Sequence, residues 1–167
     1  YLALESYKQD VRDDGAKIIA RIERERRPAI LLAGRPYHID PEINHGIPEM
    51  IQSYGLPVLS EDVVYHLPVS GEKLEIVNQR SYHARLYHAA SYVAAHENLT
   101  LIQLSSFGCG LDAITIGQVK EILEGHQRIY TMIKLDEVSN LGAARIRLRS
   151  LMAAMKQGRK PAERPQL

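Results

Sequence analysis

From Leu2 to Arg27 apolar residues recur at Leu4, Tyr7, Val11, Ile18, Ile19 and Ile22 among many charges. That is the 3.6-residue period of an amphipathic helix, with Gly15 as the point where it is expected to be interrupted. Pro28 stops it, and Ala29–Gly34 is a continuous apolar run of the kind buried on both faces of a parallel sheet. After the turn Arg35–Pro41 the pattern predicts a helix over Glu42–Tyr54, closed by Gly55 just past its end, and then a second strand at Pro57–Ser60. Residues 62–78, with Pro68, Ser70 and Gly71 marking turns, read as an excursion of loops and short pieces, a kind of segment that often borders a site. A helix over Gln79–His96, a strand at Leu99–Leu104 and the glycine-flanked turn Phe107–Gly110 follow. Asp112 is placed to cap a helix that runs to Glu124 and ends at Gly125; Ile129–Leu135 makes a fourth strand, and Ser139 or Asn140 caps a last helix over Leu141–Met155.

Strands that alternate with helices imply right-handed crossovers and a sheet covered on both faces. The expected fold is therefore α/β: a three-layer Rossmann-like or flavodoxin-like domain with a mainly parallel sheet of about four strands. The chain divides into an N-terminal helical segment (1–27), the α/β domain (28–157) and a polar tail (158–167). Opening at Tyr1, inside a helical pattern, it reads as part of a longer polypeptide.

With 167 residues, 45% of them hydrophobic, the chain can bury one substantial core. Lysine plus arginine (21) nearly cancel aspartate plus glutamate (20), so no net field draws it to nucleic acid or to an anionic membrane. Its apolar runs fall well short of the roughly 20 residues needed to span a bilayer, and no signal peptide opens it, so a cytoplasmic protein is expected. The single cysteine excludes an intrachain disulfide and a self-contained cysteine metal cage. Cys109 is then either a buried thiol or one member of a site completed elsewhere.

In an open parallel sheet, ligands bind outside the carboxyl ends of the strands. Three polar turns fall at that edge: Gly34–Pro41 with Asn44-His45-Gly46, then Ser105–Asp112, then Asp136–Gly142. Cys109 sits between Gly108 and Gly110 just before a helix N-terminus, where free amides and the helix dipole favour a thiolate or a thiolate–metal bond. A small apolar plug in a turn is the competing reading, because free cysteine is commonly buried. His38 and His45, with Arg35 and Asp40, could orient an acyl group, a phosphate or a metal; a capped, solvated turn explains them nearly as well. Arg145 lies in the first turns of the last helix and could hold an anionic group or pair with Asp136 or Glu137, whereas Arg147 and Arg149 fan around a solvated face. His83 and His88 are five apart on a helix and read as structural. No GxGxxG, GxxxxGK[ST] or HExxH occurs.

Three motifs in order, Gly34–His38 with Asn44–Pro48, Ser106–Ala113, and Asp136–Arg147, resemble the C-terminal part of the long acyl-CoA dehydratase activase-related proteins over residues 29–155. These proteins resemble a fusion of the ATP-dependent activator of 2-hydroxyglutaryl-CoA dehydratase with a region similar to the dehydratase subunits. The resemblance implies that Cys109, flanked by Gly108 and Gly110, is a candidate ligand of a 4Fe-4S cluster. Arg35, His38, His45, Asn140 and Arg145 would shape the pocket for a (R)-2-hydroxyacyl-CoA substrate. It implies as partners other domains of the parent chain or an ATPase activator module that drives an electron onto the cluster, and ATP only through another domain. The dehydratase subunits use three cysteines, and the other two are absent here, so this chain alone is expected to be cluster-free and inactive. A non-catalytic domain that docks the activator, or a domain that binds a CoA or nucleotide phosphate, are the alternative expectations.

Overall fold

A computed structural model of the chain describes residues 2–69, 81–106, 110–135 and 141–158, with the backbone alone at Ser81 and Leu111. The chain opens with helix α1 (Leu2–Glu25) and strand β1 (Ala29–Ala33), followed by a 3-10 turn at Pro36–Ile39. Two short helices, α2 (Pro41–Asn44) and α3 (Ile47–Ser53), lead to β2 (Val58–Ser60) and a second 3-10 turn at Glu61–Val63. Helix α4 (Ser81–Ala95), β3 (Leu99–Ser105), α5 (Gly110–Gly125), β4 (Thr131–Lys134) and α6 (Gly142–Gly158) complete it.

All three strand pairings are parallel, in the order β2-β1-β3-β4. In β1, Ile30 and Leu32 face one layer while Ala29, Leu31 and Ala33 face the other, which is why the strand reads as an unbroken apolar run. The first layer is α3 and α6, through Ile47, Met50, Ile51, Ala144, Leu148 and Leu151. The second is α1, α4 and α5, through Ile19, Ile22, Leu86, Ala90, Val93, Val119 and Leu123. The expected three-layer α/β fold with a four-strand parallel sheet is the fold observed. At the outer strand β4, Arg147 of α6 donates to the Met132 carbonyl at 3.2 Å.

Three expectations change. Helix α1 is not interrupted at Gly15: the glycine is buried, and a Cβ there would come within 2.3 Å of a Val63 methyl, so its smallness serves close packing on the 3-10 turn. The helix expected over Glu42–Tyr54 is two helices, because His45 (φ 53°) and Gly46 (φ 78°) take the left-handed conformation and Pro48 enters the first turn of α3. Pro48 has no N–H for a bond back to Asn44, and its ring would clash with the Asn44 carbonyl in a continuous helix. Gly55 does close the segment, at φ 79°. Finally, α5 begins at Gly110, which puts Asp112 inside the first turn and not at the cap. Of the excursion expected at 62–78, the part up to Val69 is described and the rest lies outside the described residues.

Candidate functional site

β1 connects outward to β2 on one side of the sheet, while β3 connects to β4 on the other. The crevice at the carboxyl ends of β1 and β3 is therefore the topological switch point, where open parallel sheets place their ligands. The residues that follow these two strands meet there.

His38, on the 3-10 turn after β1, is buried to 2% exposure, and its Nδ1 accepts the Arg35 amide N–H at 3.0 Å. With Nδ1 used as an acceptor, the neutral ring carries its proton on Nε2, and Nε2–H donates to Ser106 Oγ at 3.0 Å. Ser106 Oγ lies 3.2 Å from the partly exposed Tyr37 hydroxyl. Burial, followed by the opposed influences of the Asp112 carboxylate and the Arg35 cation, leaves the His38 pKa lowered to about 4. A ring that donates from Nε2 cannot also take the Ser106 proton, so the pair is not an activated serine nucleophile. Gly34 makes room for the arrangement, since a Cβ there would sit 2.4 Å from His38 Nδ1.

Arg35 is engaged from the same turn. Its Nε (3.1 Å) and Nη2 (2.5 Å) both bond to Asp112 Oδ1, which also accepts the Tyr82 hydroxyl at 3.3 Å. The hydrogen bond to Asp112 raises the Arg35 pKa beyond its ordinary value. The Tyr82 hydroxyl is pushed up to about 12 by burial and then by the Asp112 charge. The guanidinium lies 5.4 Å from the Tyr82 ring centroid, within cation–π range. Asp112 is 5% exposed, and its second oxygen, Oδ2, is buried without a hydrogen-bond partner.

On the other side of β1, Glu61 follows β2 and is 3% exposed. Burial pushes its carboxyl up to about 7, against the opposing influence of the nearby Arg85 cation and the Gly34 amide. Arg85 Nη2 is 3.6 Å from Glu61 and is already bonded to Asp62. In the β1 turn the Arg35 N–H is taken by His38 Nδ1, and Pro36 has no N–H to offer.

Of the residues singled out from sequence, the structure brings Arg35 and His38 together. His45 stands apart, exposed in a left-handed cap, while its neighbour Asn44 is buried and braces the turn through the Ile39 carbonyl and the Gly46 amide. Arg145 is exposed on α6, and no hydrogen bond or ion pair joins it to Arg35, His38 or Asp112 among the described residues. Gly110 starts α5, whereas Gly108, Cys109 and Asn140 lie outside the described residues, as do Asp136 and Glu137. Sequence reasoning missed Tyr82, Glu61 and the pairing roles of Ser106 and Asp112. The last two sit inside the Ser106–Ala113 motif, so only the motif itself signalled them.

Among the described residues no group of three or more His, Cys, Asp or Glu side chains could hold a metal ion, and no helix is long and apolar enough to cross a membrane. Neither the curated proteins nor the solved structures contain a match to the chain. Residues 1–64 match a family described as "CoA enzyme activase uncharacterised domain". The matched stretch runs from α1 through the 3-10 turn after β2 and includes the Arg35–His38 turn.

Proposed function

We propose that this chain is the iron–sulfur-site domain of an ATP-dependent activase/dehydratase system for (R)-2-hydroxyacyl-CoA substrates, and that Cys109 is its one thiolate ligand. The CoA enzyme activase match over residues 1–64 carries the reading. The positions on either side of Cys109 support it: Ser106 follows β3 and Gly110 starts α5, both at the switch point. A single thiolate does not fit a four-iron cluster, and the described residues add no metal-binding group. The chain would contribute to a site that other segments complete, and ATP hydrolysis belongs to a different domain. Against a phosphate-binding alternative stands the β1 turn, because the Arg35 amide is already taken by His38 and Pro36 has none to give. The docking alternative needs no iron at all.

Iron and acid-labile sulfide, with a visible absorption spectrum, should be measured on the anaerobically reconstituted longer polypeptide that carries this domain, with and without Cys109→Ser. Loss of most of the iron on substitution is the expected result. Equal iron in both, or none in either, would remove Cys109 from the chemistry and leave the docking function.

A further inference from the structure

Three elements meet at the 3-10 turn Glu61–Val63. The turn sets Val63 against Gly15 of α1, faces Arg85 of α4, and has the Gly34 end of β1 behind it. Arg85 is the most widely shared side chain there. Its Nη2 bonds the partly exposed Asp62 carboxylate and stops 3.6 Å from the buried Glu61. Its guanidinium lies 4.8 Å from the Tyr65 ring centroid. The same ring meets Arg12 of α1, whose Nη2 donates to the Tyr65 hydroxyl at 3.1 Å. Arg85 Nε, in contrast, is buried and has no acceptor among the described residues. A guanidinium pairs best with a carboxylate through two parallel N–H bonds. An idle Nε–H on a guanidinium 3.6 Å from a buried carboxyl therefore leaves a two-nitrogen pair unmade.

We infer that this turn is a proton-operated latch: when Glu61 loses its proton, Arg85 passes from Asp62 to Glu61, and α1 loses part of its hold on the turn. Asp62 can release the cation because its side chain is 34% exposed and water takes over; Glu61, at 3%, has no such substitute. Among the described residues, the groups that face Glu61 are Arg85 from α4, Asp62 beside it in the turn and the Gly34 amide after β1, while Arg12 of α1 bonds to Tyr65. Burial outweighs them and pushes the Glu61 carboxyl up to about 7, which sets the handover near neutral pH. Turning the guanidinium toward Glu61 draws it off the Tyr65 ring. Tyr65 then meets Arg12 without the second cation that helps to fix its ring. Helices α3 and α6 pack on the opposite face of the sheet, so α1 loosens above neutral pH and α6 does not.

The Arg85 Nε–H resonance of the full chain, followed by NMR from about pH 5.5 to 8, reads the handover directly. In the parent it is expected to move downfield with a midpoint near 7, and the Tyr65 ring signals to move with the same midpoint. Glu61→Gln keeps the shape but cannot ionise, and is expected to abolish both movements. Asp62→Asn frees Arg85 for Glu61 and removes a neighbouring negative charge, so the midpoint should fall to about pH 6 or below. Hydrogen exchange, corrected for the intrinsic pH dependence of amides, reads the consequence. Between pH 6 and 8 the amides of residues 11–19 are expected to lose about tenfold in protection relative to those of residues 144–151, in the parent and not in Glu61→Gln. An Nε–H signal that stays put, a movement that survives Glu61→Gln, or protection that changes equally in α1 and α6 would overturn the inference. Should Glu61→Gln not fold, a midpoint that fails to fall in Asp62→Asn overturns it alone.

Discussion

Two buried polar groups flank β1 and solve the same physical problem differently. On the β3 side, the Asp112 carboxylate meets a guanidinium at hydrogen-bond distance, and the histidine beside it is held neutral. On the β2 side, Glu61 is more deeply buried than its cation can compensate: Arg85 is 3.6 Å away and engaged with Asp62. The first group holds its carboxylate directly against the Arg35 guanidinium, and the second carries a carboxyl that titrates at about 7. Burial alone does not decide whether a carboxylate stays charged; what decides it is whether its partner is free to approach.

The hardest test of that contrast removes the paired carboxylate. Asp112→Ala strands Arg35 in a part-buried position and should cost about 3 kcal/mol of unfolding free energy, read from urea denaturation. Arg85→Met should cost less, because Glu61 can take up a proton.

The pH dependence separates the groups next. His38 titrates at about 4 when folded against an ordinary 6.5, so its contribution is fully present above pH 6.5 and is lost as the pH falls toward 4. Glu61 titrates at about 7 against an ordinary 4.5, so its contribution is present below pH 4.5 and is lost as the pH rises toward 7. The two oppose each other between these limits. Relative to the parent, His38→Gln should lose stability as the pH rises from 4 to 6.5, and Glu61→Gln should lose it as the pH falls from 7 to 4.5, each by an amount on the order of 2–3 kcal/mol. Parallel pH profiles for the two variants would refute the assignment.

Gly34→Ala presses a methyl into His38 and should cost about 2 kcal/mol while lifting the His38 titration toward ordinary values, visible in its ring proton shifts by NMR. At the small end, Arg145→Met removes an exposed cation outside both groups and should change stability by less than about 0.5 kcal/mol.

The layers of the fold were readable because the strands are short and mostly apolar, with β1 set between Pro28 and Gly34. What failed to show was local geometry set by distant contacts. Gly15 looked like a helix interruption because Val63, its reason for being glycine, lies 48 residues on. The break near His45 was legible in principle, since Pro48 forbids the continuous helix expected there. At the site, Arg35 and His38 stood out as polar residues in a turn at the sheet edge. Their partners did not, because an arginine that will bind a ligand and one that will bind Asp112 leave the same trace in sequence. Asp112 itself was assigned to the helix cap, the commonest local use of its side chain, and a tertiary ion pair took it instead.

The sheet has a further consequence for how the protein behaves when crowded. Its outer strands span only three residues in β2 and four in β4, and at β4 an arginine from α6 already occupies the Met132 carbonyl. A stray strand from another molecule finds only a short template at either margin, so edge-to-edge stacking into fibrils is discouraged by the dimensions of the sheet.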